Sequence, residues 1–187
     1  NRAYEIYVIR LPGNDVRRGL MAYHKARWST GREELADANE YLHEALTAFK
    51  SPDGQAMGEF ERNVREQIVQ TFQQLEQPED ATGHLLALAQ AQAWSATAPP
   101  VFEAEAELPK EAVKRKMGGD VSLTFTIDER GFVVDPEVTD STQPLFNQSA
   151  LSMVKKFRYV PRLENGQPVA TSGVVYVASF TRTQMAS

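Results

Sequence analysis

Apolar side chains along this chain recur at helical spacing between residues 14 and 95, and alternate with polar ones from residue 118 onward. Residues 3–11, Ala-Tyr-Glu-Ile-Tyr-Val-Ile-Arg-Leu, are rich in β-branched and aromatic types and read as a strand or extended apolar segment closed by Pro12-Gly13-Asn14. Asn14 or Asp15 can cap a first helix, along which Val16, Leu20, Tyr23, Arg27 and Trp28 keep helical spacing until Ser29-Thr30-Gly31 breaks it. A second helix carries Leu35, Ala38, Leu42, Ala45, Leu46 and Phe49 as one stripe, with acidic residues opposite. After a turn signal at Ser51-Pro52-Asp53-Gly54, a third helix places Met57, Phe60, Val64, Ile68, Phe72 and Leu75 on one face. A fourth, over about 81–95, is apolar nearly all round and is expected to be the most buried, ending near Trp94.

Four helices with short links predict antiparallel packing. Ala45-Leu46 ahead of Pro52 is weakly similar to tetratricopeptide hairpins, but the Gly, Ala and Pro spacings miss the repeat of roughly 34 residues, and a plain bundle is the simpler expectation. Ser95-Ala96-Thr97-Ala98-Pro99-Pro100 breaks the composition and reads as an extended linker. The expected organisation is α+β: a helical domain over 1–98, a linker over 99–107 and a small β-β-α-β domain over 108–187.

In that second domain Pro109 opens a short helix over 110–117, closed by Gly118-Gly119. Val121, Leu123, Phe125 and Ile127 alternate with Ser122, Thr124 and Thr126, the period of a half-buried strand. Asp128-Glu129-Arg130-Gly131 is a hairpin loop, with Gly131 free to take positive φ. Residues 132–138 return as a second strand, in which Pro136 argues for an edge or a bulge. Asp140-Ser141-Thr142 is expected to cap a helix carrying Leu145, Phe146, Ala150, Met153, Val154 and Phe157, with Lys155, Lys156 and Arg158 in its last turn. Asn165-Gly166 turns the chain into a final strand over 168–181.

Composition narrows the chemistry. The 187 residues carry a net charge of −5 and 42% hydrophobic residues, which allows a real core and gives no basic face for nucleic acid. There is no cysteine, hence no disulfide, thiolate ligand or Cys nucleophile. No apolar run is long enough to span a bilayer as a helix. The chain opens at Asn1 without Met, which reads as a processed or trimmed fragment whose anchor or signal peptide would lie upstream.

No cluster of side chains reads as catalytic, and the chain is expected not to be an enzyme and to hold no cofactor. His24, His43 and His84 lie in separate helices and would hold a metal only if all three converged; partly buried helix histidines are the simpler reading. Ser141, Ser149 and Ser152 have no neighbouring histidine and no nucleophile elbow. Asp128-Glu129 reads as solvated turn charge, Lys114-Arg115-Lys116 as a solvated helix face, and Trp28 and Trp94 as core.

Five local patterns in order carry a resemblance: Gly119-Asp120-Val121, Phe125-Thr126-Ile127-Asp128, Gly131 with Val133, Phe157-Arg158-Tyr159-Val160-Pro161, and Gly166-Gln167-Pro168-Val169. Over about 100–181 the chain resembles the C-terminal domain of TonB energy transducers, with Leu108-Pro109 where that family has Tyr-Pro. The helical half does not resemble the Pro-rich spanning region of the usual TonB. The resemblance implies a periplasmic protein tethered to the inner membrane, driven by an ExbB/ExbD-type complex through a segment outside this chain. It implies binding of the TonB box of an outer-membrane receptor as an added strand. The carried-over edge is Val174, Val175, Tyr176, Val177, Ala178, Ser179, Phe180 and Thr181, flanked by Leu108, Pro109 and Lys110. An edge of this kind can also pair with a second copy of the chain. The competing reading is a non-energised periplasmic adaptor that docks partners on its helices and on the β-α-β domain.

Overall fold

A computed structural model describes residues 2–52 and 55–181. Asp53 and Gly54 of the turn expected at 51–54 lie outside these. The chain divides into two compact units, Asn1–Ala93 and Trp94–Ser187.

The first unit is helical: α1 (Arg2–Arg10), α2 (Val16–Thr30), α3 (Leu35–Phe49), α4 (Glu59–Gln74), a 3₁₀ turn (Pro78–Ala81) and α5 (Thr82–Ala91). The strand expected over 3–11 is instead α1. Tyr4, Tyr7, Val8 and Leu11 stand at i, i+3, i+4 and i+7 and are the half-buried positions, while Ile6 and Ile9 are exposed. Tyr4 packs edge-on against Tyr41 of α3 at 5.5 Å, and its hydroxyl donates to Glu44. A helix satisfies its own main chain, whereas a lone strand in a helical unit would leave its main chain unpaired.

Asp15 caps α2, accepting from the Arg17 amide at 2.9 Å. The face α2 buries is not the expected one: Gly19, Ala22, Ala26 and Ser29 are buried, while Val16, Leu20 and Trp28 are exposed, Trp28 by 53%. Small side chains let α2 lie close to α3. A Cβ on Gly19 would come within 2.4 Å of Ala48 Cβ. The stripe expected on α3 does face the core, through Ala38, Leu42 and Ala45, as do Val64 and Ile68 of α4. The fourth helix is shorter than expected, and its buried positions are Leu85, Leu88 and Ala89. Trp94 lies beyond it and is only half-buried.

The second unit contains α6 (Lys110–Arg115), β1 (Gly119–Ile127), β2 (Val133–Ser141), a 3₁₀ turn (Pro144–Phe146), α7 (Asn147–Val154), β3 (Arg162–Glu164), β4 (Gln167–Val169) and β5 (Thr171–Phe180). The strands form a sheet of order β2-β1-β5, antiparallel throughout, and a separate β3-β4 hairpin. One face of the sheet, with Val121, Leu123, Phe125, Val174 and Ala178, packs with Phe146, Ala150, Val154 and Phe157 in a single apolar core. Phe146 stacks on Phe180 at 4.5 Å.

Pro136 lies in the edge strand β2, beside a register shift and next to Asp135 at φ 49°. Gly131 takes φ 87°. Asp128 is not simply solvated: its Oδ1 accepts from the amides of Arg130 and Phe132 at 2.9 and 2.8 Å and shapes the turn. The helix cap expected at 140–142 is the end of β2 instead. Thr142 N–H donates to Asp120 O at 3.0 Å, so its main chain extends the ladder, and Pro144 starts the helical turn. The last helix stops at Val154, leaving Phe157 and Arg158 in extended chain. Arg158 is therefore not an exposed last-turn cation but fully buried. The final strand is divided into β4 and β5.

Candidate functional site

Val174, Val175, Tyr176 and Val177 are residue types that suit a pleated, half-buried surface, and β5 alternates accordingly. Val174, Ala178 and Phe180 are buried and Tyr176 half-buried, while Val175 and Val177 are 65% and 53% exposed. Thr181 follows the strand and is exposed. β5 is the sheet's outer strand, paired on one side with β1 from Gly119↔Phe180 to Ile127↔Thr171.

The ladder settles which main-chain groups of β5 are unused by it. Asp120 O accepts from Thr142 N–H at the end of β2, and Ser122 O accepts from the Thr139 hydroxyl, so even-numbered residues at this end of β1 turn their main chain toward β2. Odd-numbered residues turn toward β5, where Val121, Leu123 and Phe125 meet Ala178, Tyr176 and Val174. The N–H and C=O groups of Val175, Val177 and Ser179 therefore point away from β1. The side chains of these three residues are exposed too. No strand of the described residues pairs with them.

A groove of about 660 Å³ runs along the inward-facing side chains of β5, Tyr176, Ala178 and Phe180, with Ser179 the one residue of the open edge among its lining. One wall is β5 from Tyr176 to Phe180; the other is the extended chain of residues 103–106 with Leu108, and Met153 of α7 contributes between them. The second wall is tied at both ends. Val101 N–H donates to Arg158 O at 2.7 Å, Arg158 N–H donates to Phe102 O at 3.1 Å, and the Ser149 hydroxyl donates to Glu107 O at 2.5 Å. Arg158 anchors the tie. Its guanidinium lies 3.7 Å from the Phe132 ring centroid and donates to Arg130 O at 2.9 Å.

The Tyr176 hydroxyl donates to Glu103 across the groove. Burial, then that bond to Glu103, raises the Tyr176 phenol above its ordinary range. Burial first and the Glu103 charge second push Tyr159 up to about 12.

Of the flanking residues expected from sequence, Leu108 lines the groove, Pro109 is the N-cap of α6 and Lys110 its first residue. The wall at 103–106 was missed because Pro99-Pro100 marks the stretch as linker. The signal was present in Glu103-Ala104-Glu105-Ala106-Glu107-Leu108, which alternates with the period of a strand. The histidines do not converge on a ligand set. His43 and His84 are 5.3 Å apart between ring centroids, His24 lies beside Tyr23, and no metal-holding group of three side chains occurs among the described residues.

Residues 104–178 match the family of Gram-negative bacterial TonB protein C-terminal domains. Two solved structures are similar to this chain. One is of the TonB2 protein of Vibrio anguillarum, at 31% identity, covering 48% of this chain and 86% of that one with a TM-score of 0.36. The other is the TonB C-terminal domain of Pseudomonas aeruginosa, at 26% identity, covering 44% of this chain and 84% of that one with a TM-score of 0.38. No curated protein matches.

Proposed function

We propose that this chain, whose residues 104–178 belong to the TonB C-terminal domain family, is a periplasmic coupling protein that takes the TonB box of an outer-membrane receptor as a fourth strand beside β5. The observation that carries this reading is the single-sided pairing of β5. Its unused main-chain groups at Val175, Val177 and Ser179 offer a row of hydrogen bonds to an extended peptide, while alternate side chains set register. Each such bond contributes only about 1 kcal/mol net. A pull along the strand loads several together, so a complex of modest affinity transmits force. The force is supplied by an ExbB/ExbD-type inner-membrane complex reached through a segment outside this chain.

The test is a titration of the whole chain with a TonB-box peptide, followed by amide shifts. Shifts centred on Val175, Val177 and Ser179 are expected, and Val177→Pro, which deletes a ladder donor, should abolish them while the remaining spectrum persists. A β5 that stays silent at saturating peptide refutes the reading.

A further inference from the structure

In the helical unit α2 and α4 both pack on α3, and a surface cleft of about 480 Å³ is lined by α2 and α4 together. Tyr23 and Arg27, one turn apart, line it from α2; Asn63, Glu66, Gln67 and Gln70, at i, i+3, i+4 and i+7, line it from α4. The α4 stripe runs for about 10 Å at roughly 1.5 Å per residue, the length of a disaccharide. Every lining side chain bears a hydrogen-bonding group, and Tyr23 supplies the one aromatic ring.

The cleft holds donors and acceptors that the fold itself leaves unused. The Tyr23 hydroxyl donates to Asn63 Oδ1 at 3.0 Å, and Gln67 Nε2 donates to the Tyr23 oxygen at 2.8 Å and to Asn63 Oδ1 at 2.6 Å. This closed triangle fixes both amides, and Phe60 holds the Tyr23 ring edge-on at 4.9 Å between centroids. The Asn63 Nδ2 donors and the Gln67 Oε1 acceptor are left without a partner among the described residues. Arg27 and Glu66 add a second donor and acceptor. Neither has a hydrogen-bond or ion-pair partner among the described residues, although both line the cleft. Glu66 is half-buried, and burial raises its carboxyl above the ordinary range, with the Arg62 charge opposing. A ligand that donates to this carboxylate offsets the cost of holding it partly out of water.

The lining also limits what can bind. One guanidinium and one carboxylate sum to no charge, so a ligand of either sign meets a like charge. No apolar pocket is present to take alternate side chains of an extended peptide. A hydroxyl both donates and accepts, so neighbouring hydroxyls on one ring satisfy a donor and an acceptor standing side by side. We infer that the cleft between α2 and α4 binds an uncharged oligosaccharide, its hydroxyls on the Asn63–Gln67 amide pair and on Arg27 and Glu66. This site lies in the other unit from β5 and stands whether or not β5 accepts a strand.

The experiment titrates the whole chain with cellotetraose and with the tetramer of N-acetylglucosamine, and in parallel with tetra-alanine and a heparin tetrasaccharide. Backbone amides and the side-chain amides of Asn63 and Gln67 are followed by NMR. At least one of the two neutral saccharides is expected to shift both side-chain amides saturably. Arg27→Met and Glu66→Leu should each weaken that binding about tenfold, the order for a hydrogen bond to a charged group. Both variants should keep the parent spectrum away from the cleft, so that a lost site is distinct from a lost fold. Silent Asn63 and Gln67 side chains with both neutral saccharides overturn the inference, as does binding that either variant leaves unchanged. Tighter binding of tetra-alanine or of the heparin fragment at the same amides overturns the assignment to an uncharged saccharide.

Discussion

The two units treat their polar groups in opposite ways. The helical unit closes its main chain within each helix and buries polar side chains in pairs: Glu61 with Arg65 at 2.7 Å, Asn39 with Thr71 at 2.7 Å. The sheet unit has a core almost wholly apolar, Arg158 being the one fully buried charged side chain among its described residues, and no strand of the described residues claims the main-chain groups of Val175, Val177 and Ser179. Most of the buried polar side chains, the usual sign of a working site, thus lie in the helical unit, where they pair with one another, while Arg158 and Ser149 of the sheet unit hold the chain at 101–107. The unit with the candidate site is marked by what its backbone leaves over.

The largest effects test whether each core belongs to its own unit. Phe157 is fully buried against Tyr159 and Tyr176, and Ile68 is fully buried in the helical core. Phe157→Ala should cost about 3–5 kcal/mol and Ile68→Ala about 2–5 kcal/mol. Hydrogen exchange should show protection falling in β1 and β5 for the first and in α3 and α4 for the second. Equal loss in both units from either variant would show that they unfold as one.

Acid should separate the units next. Burial alone would raise the Glu61 carboxyl, but the Ser51 amide at 2.7 Å and the Arg65 guanidinium outweigh it and hold it below the usual range. It therefore contributes stability above its unfolded value near 4.5, lost as pH falls below that. Glu61→Gln should lower helical-unit stability at neutral pH by about 2 kcal/mol and flatten the acid limb. His84 acts in a higher window. Burial first, then the nearby His43 and Arg65, lower it from 6.5 to about 4, and its Nδ1 has no partner among the described residues. Its neutral form belongs to the fold, so stability should decline as pH falls from 6.5 toward 4, and His84→Leu should remove that decline. Proton NMR should place the His84 titration near 4; a value near 6.5 would show the ring open to water.

Which parts were legible follows from range. The alternation in β1, the Gly131 turn and the edge position of Pro136 are local rules, and each could be read from neighbouring residues. The α1 segment misled because Ile, Val and Tyr favour strands, although its tyrosines, Val8 and Leu11 are spaced for a helix. The buried face of α2 was illegible because close helix approach rewards Gly19, Ala22 and Ala26 over the larger Leu20 and Trp28, and only the partner helix decides that. Arg158 reads as one more cation after Lys155-Lys156 until Phe132 and Phe102 are folded around it. At the candidate site, Val174-Val175-Tyr176-Val177-Ala178 marks a strand but, being apolar throughout, does not tell which side chains turn inward. That its outer edge is unclaimed by the sheet depends on strand order, which no local pattern encodes.

The smallest expected effect probes one residue that breaks its local rule. Lys116 closes α6 in the left-handed conformation at φ 51°, where glycine is favoured, although Gly118 and Gly119 stand just beyond Met117. Its amide donates to Val113 O at 3.2 Å, and the Met117 amide to Ala112 O at 3.0 Å, so the cap is formed despite the residue type. Lys116→Gly removes the Cβ strain and should raise the stability of the sheet unit by about 0.5–1 kcal/mol, read from the denaturant midpoint at unchanged slope. The helical unit offers a control in Gly31, which caps α2 in right-handed geometry at φ −65°. Gly31→Ala relieves no such strain and should act only by restricting the unfolded chain. A Lys116→Gly variant no more stable than the parent would mean that the lysine side chain contributes as much at this cap as its backbone strain costs.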